Sequence, residues 1–131
     1  MIREQVMAMT DEELRIKAGW LLGRDIVAED VEREKTNAVF GGIATVGKRW
    51  DPLNDIAAAW ELVGAAKEYG WLLTLEVTFI GIQARFSMFA LPAHGWQIAP
   101  TATASASAVI APRAITMAYI LAMTGGDDDQ G

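Results

Sequence analysis

The chain of 131 residues has no cysteine and only one histidine, His94. Without cysteine there are no disulfide bonds, no thiolate nucleophile and no cysteine-ligated metal site. A single histidine in a turn with Pro and Gly does not make the nucleophile, base and orienting group that covalent hydrolases need. One histidine and scattered acids also give no closed shell of metal ligands. We therefore expect no catalytic residue, no metal and no cofactor, and a protein that is not an enzyme.

Long apolar runs are missing as well. No stretch of about 18 uncharged apolar residues occurs, because Glu76, Arg85 and Arg113 interrupt the best candidates. Charged residues also interrupt any apolar segment of the signal-peptide type after Met1. These features predict neither a membrane-spanning helix nor a membrane partner.

Basic residues are fewer than acidic ones, and the formal net charge is −6. Residues 1–34 carry −4, residues 127–129 carry −3, and the segment between them carries +1. Such a distribution repels a nucleic-acid backbone, so we expect no nucleic-acid partner. A small anionic ligand held by a few arginine and lysine side chains remains compatible with it.

Hydrophobic residues make up 52% of the chain, which is typical of a globular protein that buries a core. The length suits one domain. We predict a single domain over residues 1–124, followed by an acidic flexible tail over residues 125–131.

Two helices are predicted in the first third of the chain. Thr10 to Glu13 is a capping-box pattern with Thr10 at the N-cap, and Gly23 is expected to end or kink this helix. Asp25 is the candidate cap of the second helix. The apolar residues expected to face inward there are Ile26, Val27 and Val31. Residues 37–47 contain a glycine pair but no Gly-Lys-Ser/Thr, so a loop or short edge strand is favoured over a phosphate-binding loop.

The strongest signal lies in residues 50–91, which predict a helix and a two-stranded antiparallel ribbon. Asn54 is the expected N-cap and Gly70 the end of the helix. Residues 71–80 alternate with period two, so successive side chains fall on opposite faces of a strand. Gly81 is the expected turn, residues 83–90 return, and Arg85 is expected to pair with Glu76. The residues expected to face inward on the helix are Ile56, Ala59, Trp60 and Val63. The strand residues expected to share one face are Trp71, Leu73, Leu75, Val77 and Phe79.

Residues 101–108 alternate strictly between hydroxyl and methyl side chains. A linker and a third strand are both compatible with this segment, and the strand is favoured because the period is kept between two apolar segments. Ala111-Pro112 then predicts the start of a last helix, with Gly125 just past its end. Together these elements predict an α+β fold with an antiparallel sheet.

Two segments resemble a known family. Residues 50–63, Trp-Asp-Pro-Leu-Asn-Asp-Ile-Ala-Ala-Ala-Trp-Glu-Leu-Val, are similar to the helix signature of the phage ABA-sandwich domain. Residues 111–121 resemble its closing Ala-Pro-x-Ala-Ile-x-x-Ala helix, and residues 26–29 resemble the Val-Ala-Glu step of its first helix. The similarity covers residues 26–123. It departs from the family at residues 53–55, where the family has Tyr-Ser-Thr, and at Thr116 or Met117, where it has Cys.

The resemblance implies a sheet sandwiched between helices, in helix, sheet and helix layers. It also implies an origin in a phage or prophage genome, and hence a location in the cytoplasm of a bacterial host. It transfers no catalytic residue to this chain.

One compact cluster of cationic and aromatic residues, Lys48-Arg49-Trp50, has two interpretations. In the favoured one, the cations extend past a half-buried Trp. In the other, the cluster stacks and clamps an anionic aromatic ligand. The candidate ligand-binding residues of the whole chain are Lys48, Arg49, Trp50, Arg85, His94, Trp96 and Arg113, with hydroxyls from Thr101, Thr103, Ser105 and Ser107.

Two hypotheses for the function follow. The first, slightly favoured, is an oligomeric binder that sequesters a nucleotide-like small molecule used as a signal of host defence. The second is an accessory or assembly protein of a phage or prophage that acts through protein–protein contacts. Five Trp residues in a small chain and the flat 101–108 segment are the reasons for expecting a homo-oligomer.

Overall fold

Helices and strands follow one another in a simple order along the chain. A computed structural model describes residues 1–39, 49–89 and 100–125. Within these ranges the elements are α1 (Arg3–Ala8), α2 (Asp11–Leu22), α3 (Ile26–Val39), α4 (Ile56–Glu68), β1 (Trp71–Thr78), β2 (Gly81–Phe89), β3 (Pro100–Ala108) and α5 (Ala111–Met123). The predictions for residues 40–48, 90–99 and 126–131, including the glycine pair and most of the acidic tail, fall outside the described residues.

Local signals set the boundaries of the first long helices. The hydroxyl of Thr10 accepts from the Glu13 backbone N–H at 3.1 Å, and the Glu13 carboxylate accepts from the Thr10 N–H at 2.7 Å. This reciprocal capping box begins α2, and Gly23 ends it with a φ of +93°. The Asp25 carboxylate then accepts from the Ala28 N–H at 3.1 Å and begins α3. All three predictions are confirmed.

The cap of α4 is one residue later than expected. The Asn54 side chain is hydrogen-bonded to Asp51, because its amide nitrogen donates to the Asp51 carboxylate at 2.8 Å. Asn54 is therefore engaged in the preceding turn. Asp55 caps α4 instead, accepting from the Ala57 N–H at 3.0 Å.

The three strands form an antiparallel sheet in the order β1-β2-β3. Trp71 lies opposite Met88 and Thr78 opposite Gly81, and Ala84 of β2 lies opposite Ala106 of β3. Gly81 has a φ of +144°, and a Cβ there would lie 2.5 Å from the carbonyl oxygen of Ala108. Only glycine lets the β1–β2 turn lie so close to β3. The third strand, favoured over a linker, is confirmed.

Helix α5 lies at the centre of the molecule. Its residues from Ala114 to Ala122 are all buried, since it contacts the sheet on one side and α1, α2 and α4 elsewhere. It is only 13 residues long, and within the described residues no helix is long and apolar enough to cross a membrane. Buried side chains from helices and sheet form one cluster.

Helices pack on the sheet, so the α+β class is confirmed. The face that α4 and α5 cover carries buried Ala84, Phe86, Ala104 and Ala106. We call the opposite face, with Leu72, Thr74, Glu76, Arg85 and Ser105, the open face. Leu72 and Arg85 are exposed there, whereas Ser87 on the same face is buried.

The buried faces of α3 and α4 differ from the expectation. Ile26 is buried as expected, but Val27 and Val31 are half-exposed. On α4, Ile56 and Trp60 are also half-exposed. The residues that α4 buries are Ala58, Ala59, Leu62 and Ala66. Three of these four are alanines, which allow α4 and α5 to approach closely.

Candidate functional site

Trp50 is a buried residue whose ring is already engaged within the chain. Only 9% of its surface is exposed. The Arg24 guanidinium lies over the ring, 4.6 Å from its centroid, and the indole Nε1 donates to the Glu61 carboxylate at 3.3 Å. A cation over the face of Trp is a favourable arrangement, so one ring face that would stack a ligand in the less favoured interpretation is occupied by Arg24.

A groove of about 460 Å³ lies beside Trp50. It is lined by Arg24, Ala28, Glu29, Glu32, Arg33, Thr36 and Trp50. Arg24 makes a two-pronged contact with Glu29, at 2.7 and 3.0 Å, and Arg33 lies 3.1 Å from Asp30. The hydrogen bonds to Glu29 raise the pKa of Arg24 above its usual value. An anionic ligand in this groove would have to displace carboxylates that already pair with both guanidinium groups.

Two of the candidate cations, Arg49 and Arg113, pair with acids at the start of α2. Arg49 forms an ion pair with Glu12, and the Arg113 guanidinium lies 2.7 Å from the Asp11 carboxylate. These contacts place Arg49 and Arg113 near one another's acidic partners. They do not bring either cation to Arg85 or to the hydroxyl row of β3.

Arg15, which the sequence did not single out, is the most buried cation among the described residues. Its side chain is 3% exposed, donates to the Trp50 carbonyl at 3.0 Å and to Glu12 at 2.9 Å, and also pairs with Asp30. The hydrogen bond from Arg15 lowers the pKa of Glu12. Burial alone would raise the pKa of Asp30, but the hydrogen bond and charge of Arg15 outweigh it and the pKa is lowered. This network ties α2 to α3 and to the segment before α4.

The open face of the sheet holds the fourth described candidate, Arg85. It is exposed and lies opposite Thr74 on one side and Ser105 on the other. The expected pair with Glu76 is not formed among the described residues, because the register places Glu76 opposite Gln83.

Arg3 reaches the same place from α1. Its Nη2 donates to the Ser105 carbonyl at 3.0 Å and to the Ser105 hydroxyl at 3.1 Å. Arg3 thus contacts Ser105, and Arg85 lies opposite it in the sheet. In the described part of the chain neither arginine forms an ion pair with an acid. The hydroxyls of Thr103 and Ser107 lie on the same face as that of Ser105.

A second surface was not foreseen, and we call it the apolar end. It consists of Val77, Phe79, Ile80 and Val109, where the β1–β2 turn meets the end of β3. Phe79 is wholly exposed, and the other three are 80%, 78% and 83% exposed.

The sequence did contain a signal for the apolar end. A helix of 13 residues spans about 20 Å, whereas residues 71–80 in extended conformation span roughly 33 Å. Helices of this length cannot cover the whole ribbon. Val77 therefore lies on the same face as Leu73 but beyond the part that the helices cover, and Phe79 follows β1 in the turn.

The remaining candidates, Lys48, His94 and Trp96, lie outside the described residues. Within the described ranges, no three His, Cys, Asp or Glu side chains come together in a group that could hold a metal ion.

The chain was compared with protein-family models, curated proteins and solved structures, and none of them matches it.

Proposed function

We propose that this protein is a non-enzymatic assembly protein that works through contacts with protein surfaces, including those of its own copies. The observation that carries the proposal is the apolar end, where Phe79 is wholly exposed beside Val77, Ile80 and Val109. Monomeric proteins rarely expose contiguous apolar patches above a few hundred Å². Burial of such a patch contributes about 25 cal/mol per Å² to association before the entropic costs of binding.

The resemblance to the phage ABA-sandwich domain supplies the setting of this proposal. In that setting the protein is an accessory or assembly component of a phage particle or lysogen, made in the cytoplasm of the bacterial host. The paired state of Arg24, Arg49 and Arg113 supports contacts with proteins over capture of an anion, because their charges are already neutralised.

The mass of the particle in solution tests the proposal. We expect light scattering of the wild-type protein to give a mass above the 14.2 kDa of a single chain. Phe79→Ser removes the most exposed apolar side chain and is expected to shift the particle towards the single chain. Trp20→Ser is the matched control, because Trp20 is an exposed aromatic on α2, away from the sheet. A single-chain mass at every concentration up to the high micromolar range would refute self-association.

A second function is favoured by a separate observation. Arg3 and Arg85 both lie at Ser105, next to further hydroxyls, and neither has a carboxylate partner in the described chain. Guanidinium groups and hydroxyls are suitable donors for phosphate oxygens. We propose as the alternative that the open face binds a nucleotide-like small molecule and so sequesters a signal of host defence.

Thermal shift with ADP-ribose and cyclic dinucleotides tests the alternative. A ligand at a hundredfold excess over its Kd stabilises the folded state by about 2.7 kcal/mol. We expect Arg85→Gln to abolish the shift, and Arg49→Gln to keep it because Arg49 already pairs with Glu12. Equal shifts in both variants, or none with the wild type, would exclude this site.

A further inference from the structure

The two edges of the sheet, β3 and β1, differ in how they are protected against pairing with another strand. At the β3 edge, Arg3 donates to the Ser105 carbonyl at 3.0 Å, so a backbone acceptor is already occupied by a charged side chain. The strand also begins with Pro100, which has no N–H to offer a neighbouring strand. Occupied acceptors and prolines are devices that prevent edge strands from pairing with other chains.

Within residues 1–39, 49–89 and 100–125 the β1 edge has no such protection. Its eight residues have no partner strand on the outer side among the described residues, and residues 74–78 are all exposed. Glu76 is the one charged residue in β1, which contains no proline and pairs with β2 without a bulge. A long, regular and mostly uncharged edge is a template for pairing with another strand.

We propose that two copies of this chain pair along their β1 edges, antiparallel about a two-fold axis, and join their sheets into one of six strands. The inference rests on the proposed function and names the partner as a second copy. Closed two-fold symmetry uses the same edge on both copies, so no unpaired β1 edge remains.

The side chains of β1 restrict where the axis lies. Trp71, Leu73, Leu75 and Val77 share one face. If the two-fold axis pairs a residue with its own copy, the apolar residues of this face lie opposite apolar residues of the second copy. An axis between two neighbouring residues would instead place residues of one face opposite residues of the other face. An axis at Glu76 would set two carboxylates directly opposite each other, which is unfavourable. Thr74 and Leu75 are the middle residues of β1, so an axis at either pairs the greatest length of strand and keeps Glu76 opposite a neutral residue.

Pairing at either axis also covers part of the apolar end, namely Val77 and Phe79. With the axis at Thr74, Val77 lies opposite Trp71 of the second copy and Phe79 lies beside its Tyr69. With the axis at Leu75, Val77 lies opposite Leu73 of the second copy, and Phe79, just past the end of β1, comes next to its Trp71. Phe79 is wholly exposed and Val77 is 80% exposed in the single chain. A buried aromatic contributes on the order of 200 Å², a substantial share of the ~800 Å² per partner in stable interfaces.

Disulfide trapping tests pairing at these two axis positions. The method suits this chain because the chain has no cysteine of its own. Residues directly opposite each other in an antiparallel pair have Cα separations of about 4.5–5.5 Å, which a disulfide spans. We expect Thr74→Cys or Leu75→Cys to give a covalent dimer under mild oxidation of the full chain. Ser107→Cys, exposed on β3, is the matched control and is expected to stay a single chain.

A charge on the paired edge gives an independent readout. Val77→Lys is expected to raise the dimer dissociation constant by about tenfold or more, without unfolding a chain in which Val77 is exposed. Val27→Lys on α3, half-exposed and far from β1 in sequence, is expected to leave the constant unchanged.

The outcomes separate the inference from the proposed function. A wild-type oligomer with no covalent dimer from either cysteine variant, or with one from Ser107→Cys, overturns β1 pairing and leaves the assembly role standing. A wild-type single chain at all concentrations overturns both. A covalent dimer from Thr74→Cys or Leu75→Cys together with dissociation by Val77→Lys supports the register.

Discussion

Gly19 lies where α2 comes closest to α3 and to Trp50. A Cβ at this position would lie 2.2 Å from Cγ1 of Ile26 and 3.3 Å from Cζ3 of Trp50. Both neighbours are buried and have little room to move. We expect Gly19→Ala to lower the free energy of unfolding by about 1–3 kcal/mol, the usual cost of overfilling a packed site. Urea unfolding followed by Trp fluorescence measures it.

Gly64 on α4 is the matched control for this prediction. It is exposed, and a Cβ there would meet nothing within 4 Å. Alanine in place of an exposed helical glycine raises stability by about 0.5–1 kcal/mol, because it restricts the unfolded chain. Opposite signs for the two substitutions are expected, and a loss of similar size in both would contradict the close approach at Gly19.

Tyr119 is fully buried in α5, and its hydroxyl has no hydrogen-bond partner in the described structure. Burial raises its pKa from 10.0 to about 12. We expect Tyr119→Phe to leave stability unchanged or to raise it by about 1 kcal/mol at neutral pH, because an unpaired buried polar group is removed.

The alkaline behaviour gives a second measurement for Tyr119. The folded state favours the neutral phenol of Tyr119. The contribution of this neutral phenol to the free energy of unfolding is fully present below pH 10.0 and is lost as pH rises towards about 12. Urea midpoints measured above pH 10 are expected to fall more steeply for the wild type than for Tyr119→Phe. Parallel curves would show that the phenol is not desolvated in the folded state.

At the scale of elements, the sequence predicts those features that neighbouring residues determine. The capping box at Thr10, the end of α2 at Gly23 and the turn at Gly81 all depend on residues within a few positions, and all are confirmed. The buried face of α4 depends instead on where α5 lies, more than 40 residues later in the chain. Periodicity alone does not choose between two adjacent apolar stripes, which is why the sequence predicts the wrong face for Ile56 and Trp60.

Thr116 shows how α5 is fixed to the segment before α4. Its buried hydroxyl lies 2.8 Å from the carbonyl oxygen of Pro52 and 2.8 Å from that of Pro112. We expect Thr116→Val, which keeps the shape, to lower the free energy of unfolding by about 1–3 kcal/mol, because the Pro52 carbonyl loses its buried donor. Chemical denaturation measures the loss.

The control for this prediction is Thr124→Val at the end of α5. The Thr124 hydroxyl donates to the Ile120 carbonyl within the same helix and is only partly buried. Its loss is expected to cost clearly less than that of Thr116. Equal losses would mean that the hydrogen bond to the Pro52 carbonyl does not hold the two segments together.

Across the whole molecule, ion pairs between distant segments decide which cations are available. Arg49 pairs with Glu12 and Arg113 with Asp11, over separations of 37 and more than 100 positions. The sequence contains these acids and bases, but no local signal shows that the fold brings them together. From the sequence alone, nothing therefore argues against Arg49 and Arg113 as ligand contacts. Arg85 is the candidate that the described structure leaves on an open surface.

The ion pairs of Arg15 with Glu12 and Asp30 make the stability of the whole molecule depend on pH in the acid range. Contacts with Arg15 lower the pKa of Glu12 below 4.5 and, against the effect of burial, that of Asp30 below 3.8. Their contribution is fully present above these unfolded-state values and is lost as pH falls through the lower folded-state values. Both carboxylates are partly exposed, so solvent screening holds each contribution to about 1 kcal/mol or less.

Urea unfolding from neutral pH down to about pH 3 measures this dependence. We expect Arg15→Met to be less stable than the wild type at neutral pH, and to lose less further stability on acidification, because Glu12 and Asp30 lose the strongest of the contacts that favour their ionised forms. Arg3→Met is the control, since Arg3 contacts Ser105 and no carboxylate among the described residues. It is expected to follow the wild-type slope. If Arg15→Met also follows that slope, the acid sensitivity comes from carboxylates outside the network of Arg15, Glu12 and Asp30.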